Sequence, residues 1–264
     1  MSRSREAADH PAVSVVIPCL NDGPLLARCL DSLNKQVIPP AEIIVVDNGS
    51  TDDSAAVARA RGARVVEEPR RGITWATRTG FDAASGDLLL RLDADVEVPP
   101  DFTIRLYRTW EAAEASPGRR VVGVTGDARF DLPGALGDLL SSVYLGAYRA
   151  SVGSTLGHHP LFGTNYSLRA DWWREIRDDV DFSDPYVHDD LHLSFAVRAD
   201  ETVWFQPDLV VGMDDRALHG AQQLMVRFHR GFYTVFRNWR HHPPHRRLAQ
   251  RGRLGHRLGE VLAQ

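Results

Sequence analysis

The fold prediction for this chain starts from the stretch Leu88-Leu89-Leu90-Arg91-Leu92-Asp93-Ala94-Asp95. This mostly apolar run is typical of a buried strand, and it ends in two carboxylates spaced i, i+2. Side chains two positions apart on a strand share a face, so Asp93 and Asp95 can converge on one cation. Open α/β sheets bind ligands at the carboxyl ends of their strands, where Mg²⁺ or Mn²⁺ is held by carboxylates and substrate phosphates. Taken alone, the stretch is better explained as an acidic turn after a buried strand. Its context in the chain favours a site for a cation and a diphosphate instead.

That context is a regular alternation of strand and helix patterns. Apolar runs predict strands over 13–17, 43–46, 65–66 and 88–92, and helical spacing predicts helices over 25–33, 51–61, 75–84 and 101–115. Four β-α units in succession imply a parallel sheet with helices on both faces. After about residue 120 the rhythm changes to strands at 121–125 and 202–205, helices at 136–150, 172–176 and 191–197, and a Gly-rich loop at 158–167. We therefore predict one α/β domain over 13–215 with a mostly parallel central sheet.

Composition and cysteine usage point to an ordinary globular protein, with 43% hydrophobic and 25% charged residues. Cys19 and Cys29 fall in one strand-helix unit where a disulfide would constrain little, which favours a reducing compartment. Residues 1–12 are polar and are expected to be disordered, and no segment has the eighteen or so apolar residues of a membrane span. These features predict a cytoplasmic protein.

The formal net charge of −4 hides a strong asymmetry, because residues 216–264 contain ten arginines and one acid, Glu260. Helical spacing in this basic extension is shown by its apolar residues, Leu224, Met225, Phe228, Phe232, Val235, Phe236 and Trp239. An amphipathic helix of this kind packs on the domain, joins two copies in a homodimer, or lies on the inner face of the cell membrane as a peripheral contact through 221–264. A nucleic-acid partner is not predicted, since no aromatic platform or groove-reading motif accompanies the charge.

Polar residues also follow the first two strands. The first strand ends in Pro18-Cys19-Leu20-Asn21-Asp22, and the second in Asp47-Asn48-Gly49-Ser50. An acid such as Asp47 at a strand end can accept a hydrogen bond from a nucleotide base or a ribose, or it can simply form the turn.

These two strand ends and Asp93-Ala94-Asp95, in this order and at this spacing, resemble the family-2 glycosyltransferases of the GT-A fold over roughly residues 13–215. The resemblance implies a GT-A-like (Rossmann-like) sheet, with a nucleotide-sugar half at 13–125 and an acceptor half at 126–215. It implies an inverting transfer from a nucleotide-diphosphate sugar, a UDP- or GDP-sugar, to the hydroxyl of an acceptor such as a lipid-linked or cell-envelope glycan. A divalent cation, Mn²⁺ or Mg²⁺, would be held by Asp93 and Asp95, and the nucleotide-sugar would lie against Pro18, Asn21, Asp47, Ala94 and the same two acids.

Between those anchors the family usually shows two glycines eight residues apart, and Gly72 and Gly80 keep this spacing. Thr77 and Arg78, however, stand where the family usually has Arg and Asn. The resemblance implies that Gly72 and Arg78 contact the nucleotide-sugar, while an arginine on a helix surface explains Arg78 equally well.

Asp189 and Asp190 resemble the Glu-Asp pair with which a helix of the family begins. By this resemblance Asp190 is the base that removes the acceptor proton, and Asp189 binds the acceptor or orients its neighbour. Two acids that only complement a helix dipole are the alternative. Gly163, Thr164 and Asn165 resemble the segment that lines the acceptor side. Asp214 or Asp215 stands where the family often has a histidine ligand to the metal.

Two other functions remain open at this point. A sugar-phosphate nucleotidyltransferase has a similar fold but usually carries a Gly-rich basic loop after its first strand, which residues 18–22 lack. A nucleotide-sugar-binding protein without turnover would keep the pocket alone. A Rossmann dehydrogenase is disfavoured because no Gly-X-Gly-X-X-Gly follows the first strand.

Overall fold

A computed structural model describes residues 10–131, 145–146, 149–214 and 221–252. Its strands are β1 (Val13–Cys19), β2 (Glu42–Asp47), β3 (Arg64–Glu67), β4 (Leu88–Leu92), β5 (Val96–Glu97), β6 (Arg120–Phe130), β7 (Asn165–Arg169) and β8 (Glu201–Met213). Its helices are α1 (Gly23–Leu33), α2 (Ser54–Ala60), α3 (Ile73–Ala83), α4 (Phe102–Ala115), α5 (Ala170–Ile176), α6 (Asp189–Ala196), α7 (Ala221–Trp239) and α8 (Pro244–Gln250). Residues 149–156 are also helical.

Within the described residues, eight strands form one sheet in the order β3-β2-β1-β4-β7-β6-β8-β5. The pairs β1–β2, β2–β3, β1–β4 and β6–β8 are parallel, and the pairs β4–β7, β6–β7 and β5–β8 are antiparallel. The prediction of an α/β fold with a mostly parallel sheet is confirmed. The first four predicted strand-helix units correspond to β1–α1, β2–α2, β3–α3 and β4–α4, with β5 inserted after β4.

The second half departs from its prediction at β7. The segment 158–167 is predicted as a loop, but its last three residues begin a buried strand in which Asn165 pairs with Leu92 and Ser167 with Leu90. The sequence does not predict this strand because two of its buried residues, Asn165 and Ser167, are polar. Most of the predicted helix over 136–150 lies outside the described residues.

Helices cover both faces of the sheet because strand side chains alternate. Val15 and Ile17 belong to a buried cluster with Leu26 of α1 and Trp110 of α4. Val16 lies on the other face, in a second cluster with residues of α3 and α5. Because both faces of these strands are buried, their sequences are continuous apolar runs.

Gly80 lets α3 lie close to the sheet. A Cβ atom at this position would be 2.9 Å from Cγ2 of Val46 and closer still to Cγ1 of Val16. The second glycine of the spaced pair is therefore required by helix-sheet packing.

The basic extension packs on the domain along one face of α7. The backbone N–H of His188 donates to Oγ1 of buried Thr234 at 2.9 Å, and Arg230 donates to the carbonyl of Tyr186 at 3.1 Å. Arg237 makes an ion pair with Asp181 at 2.7 Å. Packing on the domain, one of the predicted alternatives, is therefore observed for this face. No helix in the described part of the chain combines the length and hydropathy needed to cross a bilayer.

Candidate functional site

The carboxyl ends of three parallel strands meet at one edge of the sheet. β1 lies between β2 and β4, and Asp47 at the end of β2 is in register with Cys19 at the end of β1. Asp93 and Asp95 follow β4 directly, next to Ala94, which is buried. The structure therefore brings the predicted donor residues to a common edge, with half-exposed Pro18 on the central strand.

Asp47 and Asn21 fix the turn after β2. Oδ1 of Asp47 accepts a hydrogen bond from the Ser50 N–H at 2.9 Å, and Oδ1 of Asn21 accepts one from the Thr51 N–H at 2.7 Å. The Asn21 N–H donates to Oγ of Ser50 at 3.1 Å, and Asn21 itself adopts a left-handed φ of 55°. Both residues are thus engaged in holding the strand ends together, and their contact with a nucleotide stays a prediction.

Asn48 is a residue that sequence analysis treats only as part of a turn. Its buried amide donates to the carbonyls of Glu68 at 2.8 Å and Arg70 at 2.7 Å, and accepts from the Gly72 N–H at 2.8 Å. Gly72 precedes α3 with φ 135°, a conformation that favours glycine. One side chain therefore attaches the segment 68–72 to the end of β2.

Glu68 completes this attachment from the other side. It is buried, accepts two hydrogen bonds from the Arg70 guanidinium at 2.8 and 2.6 Å, and accepts another from Oγ1 of Thr79 at 2.5 Å. The hydrogen bonds from Arg70 are the main reason that the pKa of Glu68 falls to about 2. The Arg70 guanidinium also lies 3.7 Å from the ring centre of Trp75, so the loop is fixed to α3.

Two arginines near this edge, Arg71 and the predicted site residue Arg78, have different surroundings. Exposed Arg71 donates to the carbonyl of Asn48 at 3.2 Å and so lies against the strand end of β2. Arg78 pairs with Asp82 at 3.6 Å and Asp178 at 3.5 Å. Arg71 is therefore the better placed of the two for a ligand at this edge.

Arg91 is the centre of the site, and sequence analysis gave it no role. Its side chain is 1% exposed, within 2.5 Å of Oδ1 of Asp93 and 3.7 Å of Oδ2 of Asp189, and it also donates to the carbonyl of Gly163. Burial acts to lower the pKa of Arg91, but Asp93 and Asp189 outweigh it and the pKa is raised above its ordinary value. A permanently charged guanidinium thus joins the strand that carries the donor acids to the helix that carries the acceptor acids.

Asp189 and Asp190 begin α6 and are both buried. Oδ2 of Asp189 accepts a hydrogen bond from Oγ1 of Thr77 at 2.7 Å. Oδ2 of Asp190 accepts one from the Gly163 N–H at 2.7 Å. Burial, and then the charge of Asp189, raises the pKa of Asp190 above its ordinary value. Thr77 offers a hydroxyl where the family usually has an arginine, and the guanidinium beside Asp189 comes from Arg91.

The predicted acceptor segment divides into two parts. Gly163 contacts Arg91 and Asp190, and Oγ1 of Thr164 donates to Oδ2 of Asp93 at 2.9 Å. Asn165 is fully buried, and its amide donates to the carbonyls of Asp127 at 3.0 Å and Leu209 at 2.7 Å. Asn165 thus lies within the sheet and braces its neighbouring strands, and its expected role on the acceptor side stays a prediction.

The described residues contain no group of three His, Cys, Asp or Glu side chains that would form a metal site from protein ligands alone. The donor set after β4 is nevertheless oxygen-only, and Mg²⁺ or Mn²⁺ commonly binds through one or two carboxylates with phosphates and water completing its shell. Asp93 and Asp95 fit an ion bound in this way. Asp214 is half-buried and is the last residue of the described range 149–214. Asp215 lies outside the described residues.

Comparison with known proteins defines the class of fold first. A mannosyltransferase from Pyrobaculum calidifontis, solved with GDP-Man and Mn²⁺, superposes with a TM-score of 0.60 at 19% identity, covering 97% of this chain and 80% of that one. Glucosyl-3-phosphoglycerate synthase from Mycobacterium tuberculosis, solved with Mn²⁺, UDP-Glc and phosphoglyceric acid, gives 0.53 at 24% identity, covering 88% and 81%. At these identities the likeness shows the fold, and the fold is that of GT-A glycosyltransferases.

The sequence comparisons then identify the family. Residues 14–141 match the model of glycosyl transferase family 2. Over 129 residues the chain is 38% identical to the undecaprenyl-phosphate 4-deoxy-4-formamido-L-arabinose transferase of Serratia proteamaculans (strain 568), covering 45% of this chain and 38% of that protein. An uncharacterized glycosyltransferase of Mycobacterium tuberculosis is 44% identical over 86 residues, covering 32% of this chain and 37% of the relative. The matches thus span well under half the length of these relatives, and the predicted resemblance to the family is confirmed.

Proposed function

We propose that this chain transfers a sugar from a nucleotide-diphosphate sugar to an acceptor hydroxyl, with inversion at the anomeric carbon and with a divalent cation at the end of β4. The observation that carries the proposal is the Arg91 contact network. It joins Asp93, which follows the donor strand, to Asp189, which heads the helix predicted to bind the acceptor. A donor and an acceptor held on the two sides of this network would meet at the sheet edge.

Asp190 is the proposed general base. A base works best when its pKa lies close to the working pH, and burial together with Asp189 moves the pKa of Asp190 upward. The Gly163 N–H holds one carboxylate oxygen at 2.7 Å, which fixes the direction from which the acceptor proton is removed. Asp189, held by Thr77 and Arg91, maintains the position of its neighbour.

Asp95 and Asp93 are the proposed ligands of the cation, which when bound would neutralise charge on the departing nucleoside diphosphate. Asp93 shares its oxygens with Arg91 and Thr164 and would hold the cation together with Asp95. Asp47, Asn21 and Arg71 are placed to contact the nucleoside and diphosphate. The nucleotidyltransferase alternative is not retained, because the family match lies over the donor half.

The acceptor is proposed to be lipid-linked and to be reached at a membrane surface. Met225, Phe228, Phe232 and Phe236 form a stripe on the face of α7 opposite buried Thr234, and each is more than half exposed. Residues 216–259 contain no acid, although Arg237, next to Phe236, is paired with Asp181 and Asp184 of the domain. Apolar side chains with flanking arginines suit an anionic lipid surface.

Turnover is tested with UDP- and GDP-sugars in the presence of Mn²⁺ or a chelator. We expect release of nucleoside diphosphate that requires the metal and is lost in Asp95→Asn. The matched control is Asp101→Asn, an exposed acid paired with Arg105 outside the site. Saturable nucleotide-sugar binding with no turnover on any acceptor would instead support a binding protein, and unchanged activity in chelator would contradict the metal assignment.

Membrane contact is tested by co-sedimentation with vesicles containing phosphatidylglycerol. We expect the double variant Phe232→Ser and Phe236→Ser to lose most binding, whereas Val37→Ser, an exposed apolar residue elsewhere, keeps it. Loss of a dimer in light scattering, with vesicle binding unchanged, would assign the stripe to a contact between two copies and overturn the membrane proposal.

A further inference from the structure

A cavity of about 400 Å³ lies between the carboxyl ends of α5 and α6 and the helices α7 and α8. Its volume falls within the range of about 300–1,000 Å³ that small-molecule sites occupy. The lining includes Ile176 of α5, His192 of α6, Arg247 of α8 and Arg251, which directly follows α8. None of the acids of the candidate active site lines it, so the cavity is a separate feature of the fold.

A buried guanidinium forms part of the cavity wall. Arg247 is 7% exposed and donates to the carbonyls of Phe195 at 2.8 Å and Val197 at 3.2 Å, with its third contact to Nε2 of His158 at 3.3 Å. All these acceptors are neutral, and among the residues that the structure describes Arg247 has no carboxylate partner. Burial, and then the nearby charge of Arg251, lowers the pKa of Arg247 to about 10. A buried cation without a counter-ion is costly, and an anion in the cavity would reduce this cost.

Two buried side-chain nitrogens of residues that line the cavity have no hydrogen-bond partner among the described residues. They are Nε of Arg247 and Nε2 of His192. The other ring nitrogen of His192 lies 3.1 Å from Oδ1 of Asn238, which orients the imidazole. The Arg247 Nε–H is always a donor, whereas Nε2 of His192 can accept from a phosphate hydroxyl or, once protonated, donate to an oxyanion. Buried polar groups normally have partners, and both of these atoms belong to side chains that line the cavity.

The charges around the cavity favour an anion. Cations are contributed by Arg198, Arg247 and Arg251, and the one acid in the lining, Asp179, lies on the exposed rim. Glu175 pairs with Arg198 at 2.8 Å, so the charge of Arg198 is already balanced. His242 also lines the cavity, and burial and Arg247 lower its pKa.

We propose that this cavity binds a small organic anion, whose phosphate or carboxylate group contacts Arg247 and whose apolar part lies against Val180 and Phe195. Both apolar residues belong to the buried core. The ligand would touch the last turn of the helix that begins with Asp189 and Asp190, roughly 12 Å away at 1.5 Å per residue. Bound there, it would connect the basic extension to the helix of the active site.

The test uses the full chain and measures thermal unfolding and calorimetric binding with phenyl phosphate, benzoate, inorganic phosphate and, at equal ionic strength, chloride. We expect phenyl phosphate or benzoate to bind saturably and at least tenfold more tightly than inorganic phosphate, with no saturable effect of chloride. The binding should persist in excess UDP or GDP, which would occupy the proposed donor site. Complete competition by either nucleotide, or no saturable binding by any of the organic anions, would overturn the proposal.

A charge placed in the cavity gives a sharper test. Ala196 lines the cavity and is half-exposed, so Ala196→Glu supplies a carboxylate from the protein itself, and Ala196→Gln is a neutral control of the same size. We expect Ala196→Glu to weaken anion binding at least tenfold and Ala196→Gln to stay within about threefold of the unmodified chain. If Ala196→Glu fails to fold, the pair Ala199→Glu and Ala199→Gln provides the same comparison at the cavity rim. Equal binding by the charged and neutral variants would refute the site. These readouts do not depend on glycosyl transfer.

Discussion

Replacing Arg91 with methionine removes the cation that holds the acids of the candidate site together. The guanidinium is 1% exposed and lies 2.5 Å from Asp93 and 3.7 Å from Asp189. Removing one partner of a buried ion pair costs about 3–5 kcal/mol, because the remaining charge is left without compensation. We therefore expect Arg91→Met to lower the free energy of unfolding by about 3–5 kcal/mol at pH 7, measured by urea denaturation with tryptophan fluorescence.

The loss should depend on pH in a definite direction. Arg91 acts to lower the pKa of Asp190, so without Arg91 the folded-state pKa of Asp190 rises further above its unfolded value. A raised acid pKa penalises folding once the pH exceeds the unfolded value, and the penalty grows until the pH passes the folded value. The gap between the two proteins should accordingly be larger at pH 8 than at pH 5. Arg91→Lys keeps the positive charge but lacks the planar guanidinium with its several N–H donors, so it should lose less stability than Arg91→Met. A loss below about 1 kcal/mol, or one that is the same at pH 5 and pH 8, would refute the reasoning.

Three further substitutions have defined expectations. Asp190→Asn should lower kcat by about 10²–10⁴ with unchanged nucleotide-sugar affinity, and a parallel loss of affinity would contradict its role as base. Glu68→Gln should lower the free energy of unfolding by about 1.5–3 kcal/mol. Because the pKa of Glu68 is lowered from 4.5 to about 2, the loss of stability in Glu68→Gln should be constant above about pH 5 and disappear as the pH falls to 2. A loss in urea unfolding that stays the same at low pH would contradict this. Gly80→Ala should lower the free energy of unfolding by about 1–3 kcal/mol, because the added methyl group crowds Val46 and Val16. Adding Val16→Ala should recover part of this loss. An unchanged urea midpoint in Gly80→Ala would disprove the close packing.

The sequence was sufficient to predict the sheet and the edge at which the site lies. Strands such as 88–92 carry continuous apolar runs because both faces are buried, and parallel connections bring their carboxyl ends to one edge. This is why Asp47, Asp93 and Asp95 could be grouped without a structure. The same local reasoning could not identify β7, since its polar residues Asn165 and Ser167 are buried by partners from distant strands.

The residues that organise the site were missed because their partners are far away in sequence. Asn48 contacts residues 20 to 24 positions ahead, and Thr77 contacts Asp189 across 112 positions. Arg91 looks like an interruption in an apolar strand, and only the fold shows that it faces three acids. Propensity and periodicity report on neighbours within a turn or two of chain, so they contain no signal for such contacts.

Two arginines, Arg247 in α8 and Arg251 directly after it, determine where a minimal working unit of this chain would end. Both lie beyond the boundary predicted at residue 215, and they donate hydrogen bonds to the carbonyls of Phe195, Val197, Arg198 and Glu201. Shortening the protein to residue 215 would leave these carbonyls without their donors. A trimmed protein prepared for crystallography or for heterologous expression should therefore retain everything through residue 252.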